Sequence, residues 1–121
     1  MRVLIIDDSK TIREIVKIYL MNENFIVEEA SDGEAGMAAL RANEYGLVLA
    51  DYKMPRLDGL GLLQLARSDP KMKNLPIIIL TGEKQPELRE AVMAAGATEV
   101  LNKPISAAAL QACVRRVREG Q

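Results

Sequence analysis

Five short apolar runs recur along this chain of 121 residues, and longer segments with helical spacing separate them. The runs lie at residues 2–6, 25–30, 46–51, 76–80 and 98–101. Such alternation is typical of βα units, whose right-handed crossovers put helices on both faces of a parallel sheet. We therefore predict an α/β fold with a doubly wound, five-stranded parallel sheet and five helices. The third and fourth runs, apolar throughout, should be central strands, and the alternating second run should lie nearer an edge.

Helix start and stop signals occupy the segments between these runs. The first two helices are predicted at about residues 10–22, with Asp8 or Ser9 as cap, and at about 33–43, after a possible capping box in Ser31-Asp32-Gly33-Glu34. The others are a third helix at about 59–68 capped by Asp58, a fourth from Pro86 to a stop at Gly96, and a fifth from a Ser106 cap to about Glu119.

Composition limits the possible functions. The 16 lysines and arginines against 17 aspartates and glutamates give a net charge of -1, which offers no electrostatic footprint for nucleic acid. The cluster Arg115, Arg116 and Arg118 fits a solvated last helical turn. Since the sequence shows neither a signal peptide nor an apolar stretch of membrane-spanning length, we expect a cytoplasmic protein without membrane insertion.

The chain contains no histidine and a single cysteine, Cys113. The lack of histidine excludes Ser-His-Asp triads, His-ligated zinc and a role as phosphohistidine donor. Cys113 lies at helical spacing with Leu110, Val114 and Val117. It is therefore predicted to be a buried apolar residue rather than a nucleophile.

Polar side chains stand at the carboxyl ends of four of the five runs. They are Asp7 and Asp8 after the first run, Asp51 in the third, Thr81 after the fourth and Lys103 after the fifth. Ligands of open α/β sheets bind at this edge. Three carboxylates gathered there repel one another unless a cation relieves them, and Mg²⁺, which prefers oxygen ligands, suits the group.

Each of these positions also has an ordinary structural interpretation. Asp7 and Asp8 could begin a helix, and Asp51 could be a turn residue. Thr81 with Gly82 is a common strand-to-loop pair, and Lys103 could be a solvated lysine. Because five coincidences at one end of one sheet are harder to accept than one site, the combination favours a functional site.

The same positions carry a resemblance to a known family. The matching motifs are Ile5-Ile6-Asp7-Asp8, Leu49-Ala50-Asp51-Tyr52-Lys53-Met54-Pro55 with Asp58-Gly59, Ile79-Leu80-Thr81-Gly82, and Asn102-Lys103-Pro104. Over essentially its whole length, the chain resembles the receiver domain of two-component response regulators in the stand-alone, CheY-like form. This implies the flavodoxin-like strand order 2-1-3-4-5. We expect a single receiver domain over residues 1–121 with no output domain.

The resemblance implies a role for each acidic residue. Asp51 would be the phosphoacceptor, since a carboxylate can act as a nucleophile. Asp8 and Asp51 would bind Mg²⁺ together with the backbone carbonyl of Lys53, and Asp7 would reach the ion directly or through water.

It also implies how the phosphoryl group is held. Thr81 and Lys103 would bind its oxygens, and the small Gly82 would leave it accessible. A cis peptide bond before Pro104 would turn the lysine toward the phosphate. Beyond its own phosphorylation and dephosphorylation, the chain would catalyse no reaction.

The implied partners are proteins. A sensor histidine kinase or a phosphotransfer protein would donate the phosphoryl group. A downstream protein target would bind the face formed by the fourth helix, the fifth strand and the fifth helix. No direct binding of nucleic acid is expected. The alternatives are a phosphoryl shuttle in a multistep phosphorelay and a degenerate receiver that acts only as a binding module.

The departures from the family pattern lie around the site rather than in it. Val100 stands where many receivers carry a switching Tyr or Phe, so coupling is expected to run through Thr81 and the loop 82–84 instead. Lys53 and Glu83 occupy positions that tune phosphoryl lifetime and partner access in the family. They could form an ion pair across the mouth of the site or stay two exposed side chains.

Two other classes fit the residues less well. A phosphatase of the haloacid dehalogenase type also uses a strand-end aspartate, Mg²⁺ and a lysine, but has an acid two residues after the nucleophile, where this chain has Lys53. A flavodoxin-like flavin carrier has a hydroxyl-rich and glycine-rich phosphate loop after its first strand. Here Asp7 and Asp8 would repel the phosphate.

Overall fold

The computed structural model describes residues 1–21 and 23–120. Its strands are β1 (Arg2–Ile6), β2 (Ile26–Ala30), β3 (Leu47–Asp51), β4 (Ile77–Thr81) and β5 (Glu99–Asn102). Its helices are α1 (Lys10–Tyr19), α2 (Gly33–Ala42), α3 (Gly59–Ser68), α4 (Pro86–Ala94) and α5 (Ala107–Glu119), with a short 3₁₀ turn at Pro70–Met72. Among the described residues, no helix is long and apolar enough to cross a membrane.

All five strands pair in parallel, in the order β2-β1-β3-β4-β5. This confirms the predicted fold class and strand order. Strand β3 lies in the middle and β2 at an edge, as their apolar patterns indicated. In the register, Asp51 pairs with Leu80 and Thr81 pairs with Asn102. The carboxyl ends of the strands therefore meet at one edge of the sheet.

The sheet is covered on both faces because successive strand residues point to opposite sides. Leu4 and Ile6 of β1 pack in a core with α2, α3 and α4, whereas Val3 and Ile5 pack in a second core with α1 and α5. Cys113 is fully buried in the second core, as its helical spacing predicted. Burial raises the pKa of its thiol to about 12, so this cysteine is not a thiolate nucleophile at neutral pH.

One helix end and one helix cap differ from the sequence predictions. Helix α1 ends at Tyr19, earlier than predicted. At Leu20 the backbone leaves helical geometry, with a ψ of 2°, and Leu20 N–H and Met21 N–H bond to the carbonyls of Lys17 and Ile18, three residues back, which tightens the last turn. The predicted end, position 22, lies outside the described residues. Helix α2 is capped by Asp32, whose side chain accepts a hydrogen bond from the first turn, so a capping box that starts at Ser31 does not form. Aspartate caps a helix at least as well as serine.

The other boundary signals are confirmed. Ser9, Asp58 and Ser106 accept hydrogen bonds from the first turns of α1, α3 and α5. Pro86 begins α4, and Gly96 follows its end with a φ of 111°, a conformation that favours glycine. The strands begin and end within one residue of the predicted runs.

Candidate functional site

Five polar side chains meet at the carboxyl edge of the sheet. Asp7 and Asp8 follow β1, Asp51 and Thr81 end β3 and β4, and Lys103 follows β5. Asp7, Asp51 and Thr81 are buried, Lys103 is half-buried and Asp8 is exposed. The structure thus brings together the residues that the sequence analysis selected.

Three carboxylates form the centre of this site. One oxygen from each of Asp7, Asp8 and Asp51 lies within 4.8 Å of the other two. Burial raises the pKa of Asp51, and the negative charge of Asp7 raises it further, while the attraction of Lys103 offsets only part of the shift. A cation bound at this point would therefore relieve a real electrostatic cost.

Lys103 supplies the positive charge of the site. Its Nζ lies 3.1 Å from Asp51 Oδ1 and 3.3 Å from Asp7 Oδ2. Burial alone would lower the pKa of Lys103, but the attraction of Asp51 and Asp7 outweighs it and raises the pKa, so the ammonium group stays charged at neutral pH. The peptide bond between Lys103 and Pro104 is cis, the isomer that the resemblance implies.

Asp7 is held by hydrogen bonds on all sides. Its N–H donates to the Ala30 carbonyl at 3.1 Å, and its Oδ1 accepts from Ser9 N–H at 2.9 Å. Its carbonyl accepts from Arg13 Nη1 at 2.6 Å. Asp8 differs, because its carboxylate makes no hydrogen bond or ion pair with residues 1–21 or 23–120. Arg13 was missed by the sequence analysis, and its place within two helical turns of the acidic pair is the one sequence signal for it.

The donor atoms at this edge fit a hard divalent cation. Carboxylates offer only oxygen, which is the ligand type that Mg²⁺ prefers. A cleft of about 350 Å³ opens beside Asp8 and is lined by Lys53, Met54, Pro55 and Asp58. It leaves room for the waters that Mg²⁺ retains and for a phosphate oxygen. The residues present therefore fit the predicted ion, and Lys53 lines the same cleft.

Thr81 is the last residue of β4 and directly precedes the β4–α4 loop, residues 82–85. Its hydroxyl is almost fully buried and accepts a hydrogen bond from Glu83 N–H at 3.0 Å. The Asn102 side-chain amide donates to the Glu83 carbonyl at 2.9 Å, so β5 is tied to this loop by a residue that the sequence analysis did not single out. A Cβ at Gly82 would meet no atom within 4 Å, so packing does not require glycine there.

The mouth of the site and the cavity beside it contain Lys53, Glu83 and Val100. Lys53 Nζ lies 3.2 Å from Glu83 Oε1, so these side chains do form an ion pair, although the lysine is 80% exposed. Val100 is buried beside a cavity of about 180 Å³, which Thr81 and Leu88 also line. Arg89 of α4 donates to the Val100 carbonyl at 3.3 Å. An aliphatic residue thus stands at the position where an aromatic switch would be.

Fold and site together define a class of protein. It is a doubly wound α/β domain in which an aspartate at a strand end lies near an acidic pair, a threonine hydroxyl and a lysine. The chain matches the response regulator receiver domain family over residues 3–115 and belongs to that family.

Similar proteins agree with this assignment. The chain is 35% identical to a probable chemotaxis protein CheY from Rhizobium etli, over 96% of this chain and 91% of that protein. It is also 35% identical to chemotaxis protein CheY-3 from Vibrio cholerae, over 98% and 92% of the two chains. The solved structure of the Vibrio cholerae chemotaxis response regulator CheY4 superimposes with a TM-score of 0.90 at 33% identity, over 96% of this chain and 97% of that one.

Proposed function

We propose that this receiver domain accepts a phosphoryl group on Asp51. The observation that carries the proposal is the contact between the half-buried Lys103 ammonium and the Asp51 carboxylate, at 3.1 Å, beside the acidic pair. Keeping the buried Asp51 carboxylate beside two other acids costs folding free energy, and packing gives no return for that cost. This arrangement suits an incoming phosphoryl group and its cation.

We propose Mg²⁺ as the cation, held by Asp8, Asp51 and the backbone carbonyl of Lys53. When bound, the ion neutralises charge on the transferring phosphoryl oxygens. Both oxygens of Asp7 already have partners, Ser9 N–H and Lys103 Nζ. This supports contact of Asp7 with the ion through water rather than directly.

The residues of the chain would carry out an in-line transfer. A carboxylate oxygen of Asp51 attacks the phosphorus of a phosphohistidine, a P–O bond forms, and the P–N bond breaks with its electron pair returning to the imidazole of the donor. The Lys103 ammonium group would contact a phosphoryl oxygen and offset its negative charge. The Thr81 hydroxyl accepts from Glu83 N–H, so its own hydrogen is free to be donated to another phosphoryl oxygen.

The partners follow from this chemistry. The donor would be a sensor histidine kinase or a phosphotransfer protein, since this chain has no histidine of its own. The output would be contact of a downstream protein with the face formed by α4, β5 and α5. Asn102 of β5 bonds this face to the β4–α4 loop, and Arg89 joins α4 to β5 within it. We propose that a single receiver domain is the signalling unit, in keeping with CheY relatives of which this chain covers 91% and 92%.

Incubation with acetyl phosphate and Mg²⁺, followed by intact mass measurement, tests the proposal. The wild-type protein should gain one phosphoryl group, and Asp51→Asn should gain none. Asp58→Asn is the matched control, because Asp58 lines the same cleft and asparagine preserves its cap on α3. Equal labelling of the Asp51→Asn variant would place the acceptor elsewhere. An unlabelled wild-type protein would leave only the binding-module alternative.

A further inference from the structure

Arg13 has no part in the motifs that define the family site, yet it contacts the acidic pair. It lies on α1, and its side chain is only 15% exposed. Nη1 donates to the Asp7 backbone carbonyl at 2.6 Å, and Nε donates to Glu29 Oε1 at 2.9 Å. The guanidinium therefore joins α1, the end of β1 and the neighbouring strand β2.

We propose that Arg13 is a positioning residue for the Mg²⁺ site, acting through the peptide unit that links Asp7 to Asp8. This inference rests on the proposed function, since it concerns how the Asp8 carboxylate is presented to the cation.

The geometry supports this role because the peptide unit is planar. The carbonyl that Arg13 binds belongs to the same plane as the N–H of Asp8, so a strong bond to that oxygen fixes the direction in which the chain enters Asp8. On either side, Asp7 N–H is bonded to the Ala30 carbonyl and Ser9 N–H to Asp7 Oδ1. Because the Asp8 side chain is exposed, packing does not hold it, and the backbone at Asp8 sets the direction in which its Cβ projects.

The guanidinium itself is anchored in a defined orientation. Glu29 accepts from Arg13 through Oε1 and from Lys17 Nζ through Oε2, each at 2.9 Å. An arginine can satisfy Glu29 and the Asp7 carbonyl at once, because its donors are fixed in a rigid fork. A lysine at position 13 would have a single flexible ammonium group to divide between the two.

Positioning and simple electrostatics predict opposite effects of removing this charge. If Arg13 acted only through its charge, its neutralisation would strengthen binding of a divalent cation, because a nearby positive charge would be lost. If it positions the Asp7–Asp8 peptide, neutralisation should weaken binding. Loss of a residue that orients a metal ligand typically costs about 10- to 100-fold in affinity.

The test is calorimetric titration of metal-free protein with Mg²⁺ at constant ionic strength. Arg13→Gln should raise the Mg²⁺ Kd about 10-fold, and Arg13→Lys should raise it less. Lys17→Gln is the matched control, because it removes the other partner of Glu29 without touching Asp7, and its Kd should equal that of the wild type. The amide resonances of Asp8 and Ser9 should shift in Arg13→Gln before any metal is added, and not in Lys17→Gln.

Failure of the inference is distinguishable from failure of the proposed function. A wild-type protein that does not bind Mg²⁺ would overturn both. Wild-type binding with an unchanged or tighter Kd in Arg13→Gln would overturn the positioning role alone, as would equal losses in Arg13→Gln and Lys17→Gln. Should Arg13→Gln fail to fold by far-ultraviolet circular dichroism, a wild-type Kd and unshifted amides in Arg13→Lys would overturn it.

Discussion

The two sides of the site are held in different ways. On the acidic side, Asp7 is fully buried and bonded through its N–H, its carbonyl and both carboxylate oxygens. On the other side, the β4–α4 loop is held by the Thr81 hydroxyl, the Asn102 amide and the exposed pair of Lys53 with Glu83. Gly82 there has open space around it.

Under the proposed function, this difference would separate two tasks. Groups that must meet a cation and a phosphoryl group gain from fixed positions, because no reorganisation is then needed during transfer. Groups that report the phosphoryl group must have a second arrangement of similar free energy. The Thr81 hydroxyl accepts from Glu83 N–H, whereas Asp7 is bonded through its N–H, its carbonyl and both carboxylate oxygens, so Thr81 would move at a lower cost than Asp7.

The largest expected effect lies on the acidic side. Mg²⁺ should raise the melting temperature of the wild type through linkage, and Asp8→Ala should lose most of that rise. Its Mg²⁺ Kd should rise more than about 100-fold, beyond the loss for residues that only orient a ligand. Differential scanning calorimetry across a Mg²⁺ series measures this, with Asp58→Asn as control. Equal responses of wild type and Asp8→Ala would move the metal site away from Asp8.

A smaller effect is expected at the position of the missing aromatic switch. Val100→Ala removes buried methyl groups, so the free energy of unfolding should fall by about 1 to 2 kcal/mol in denaturant titrations. The response of the β4–α4 loop to phosphorylation should survive, since Val100 has no polar tip that could change places. Loss of that response in a folded Val100→Ala protein would show that Val100 carries the coupling.

Asp51 should make stability depend on pH in a definite direction. Its pKa in the folded state is raised above the ordinary value of 3.8 by burial and by Asp7, so the stability that its proton contributes is lost as the pH rises through that folded-state pKa. Asp51→Asn, which cannot ionise, should therefore be more stable than wild type at neutral pH without divalent cations. The difference should shrink on acidification. A gap that widens at low pH would contradict the assigned shift.

The smallest effect is expected at the mouth of the site. Lys53→Ala breaks the ion pair with Glu83, and exposed pairs contribute about 0.2 to 1 kcal/mol. Unfolding free energy should change within that range, and the Glu83→Gln variant should behave alike. The rate of phosphoryl loss should change more than stability does. Identical lifetimes in wild type and both variants would limit this pair to a surface contact.

The sequence predicted the features that depend on strand ends and failed for those that depend on side-chain orientation. Asp7, Asp8, Asp51, Thr81 and Lys103 could be selected because parallel strands deliver their carboxyl ends to one edge. The contact of Arg13 with the Asp7 carbonyl could not be predicted, since it depends on the conformation of a long side chain that extends from α1 to the end of β1. The hydrogen bond from the Asn102 side-chain amide to Glu83 could not be predicted either, since it depends on the path of the β4–α4 loop.

The errors at the end of α1 and at the cap of α2 also arise from local geometry that the sequence does not determine. The apolar spacing of α1 continues to Leu20, but the chain must turn toward β2, so the helix ends at Tyr19. At α2, two adjacent residues could both cap the helix, and sequence rules do not decide between Ser31 and Asp32. Local geometry settled the choice for aspartate.

The contrast between a fixed acidic side and a movable loop is tested most directly by amide chemical shifts with and without beryllofluoride, in wild type and Thr81→Ala, with Mg²⁺ bound throughout. In the wild type, residues 81–90 should shift strongly, while the amides of Asp7 and Ser9 should shift less. Thr81→Ala should lose most of the response in residues 81–90 and still accept a phosphoryl group on Asp51. A full response of residues 81–90 in Thr81→Ala would contradict this division of the site.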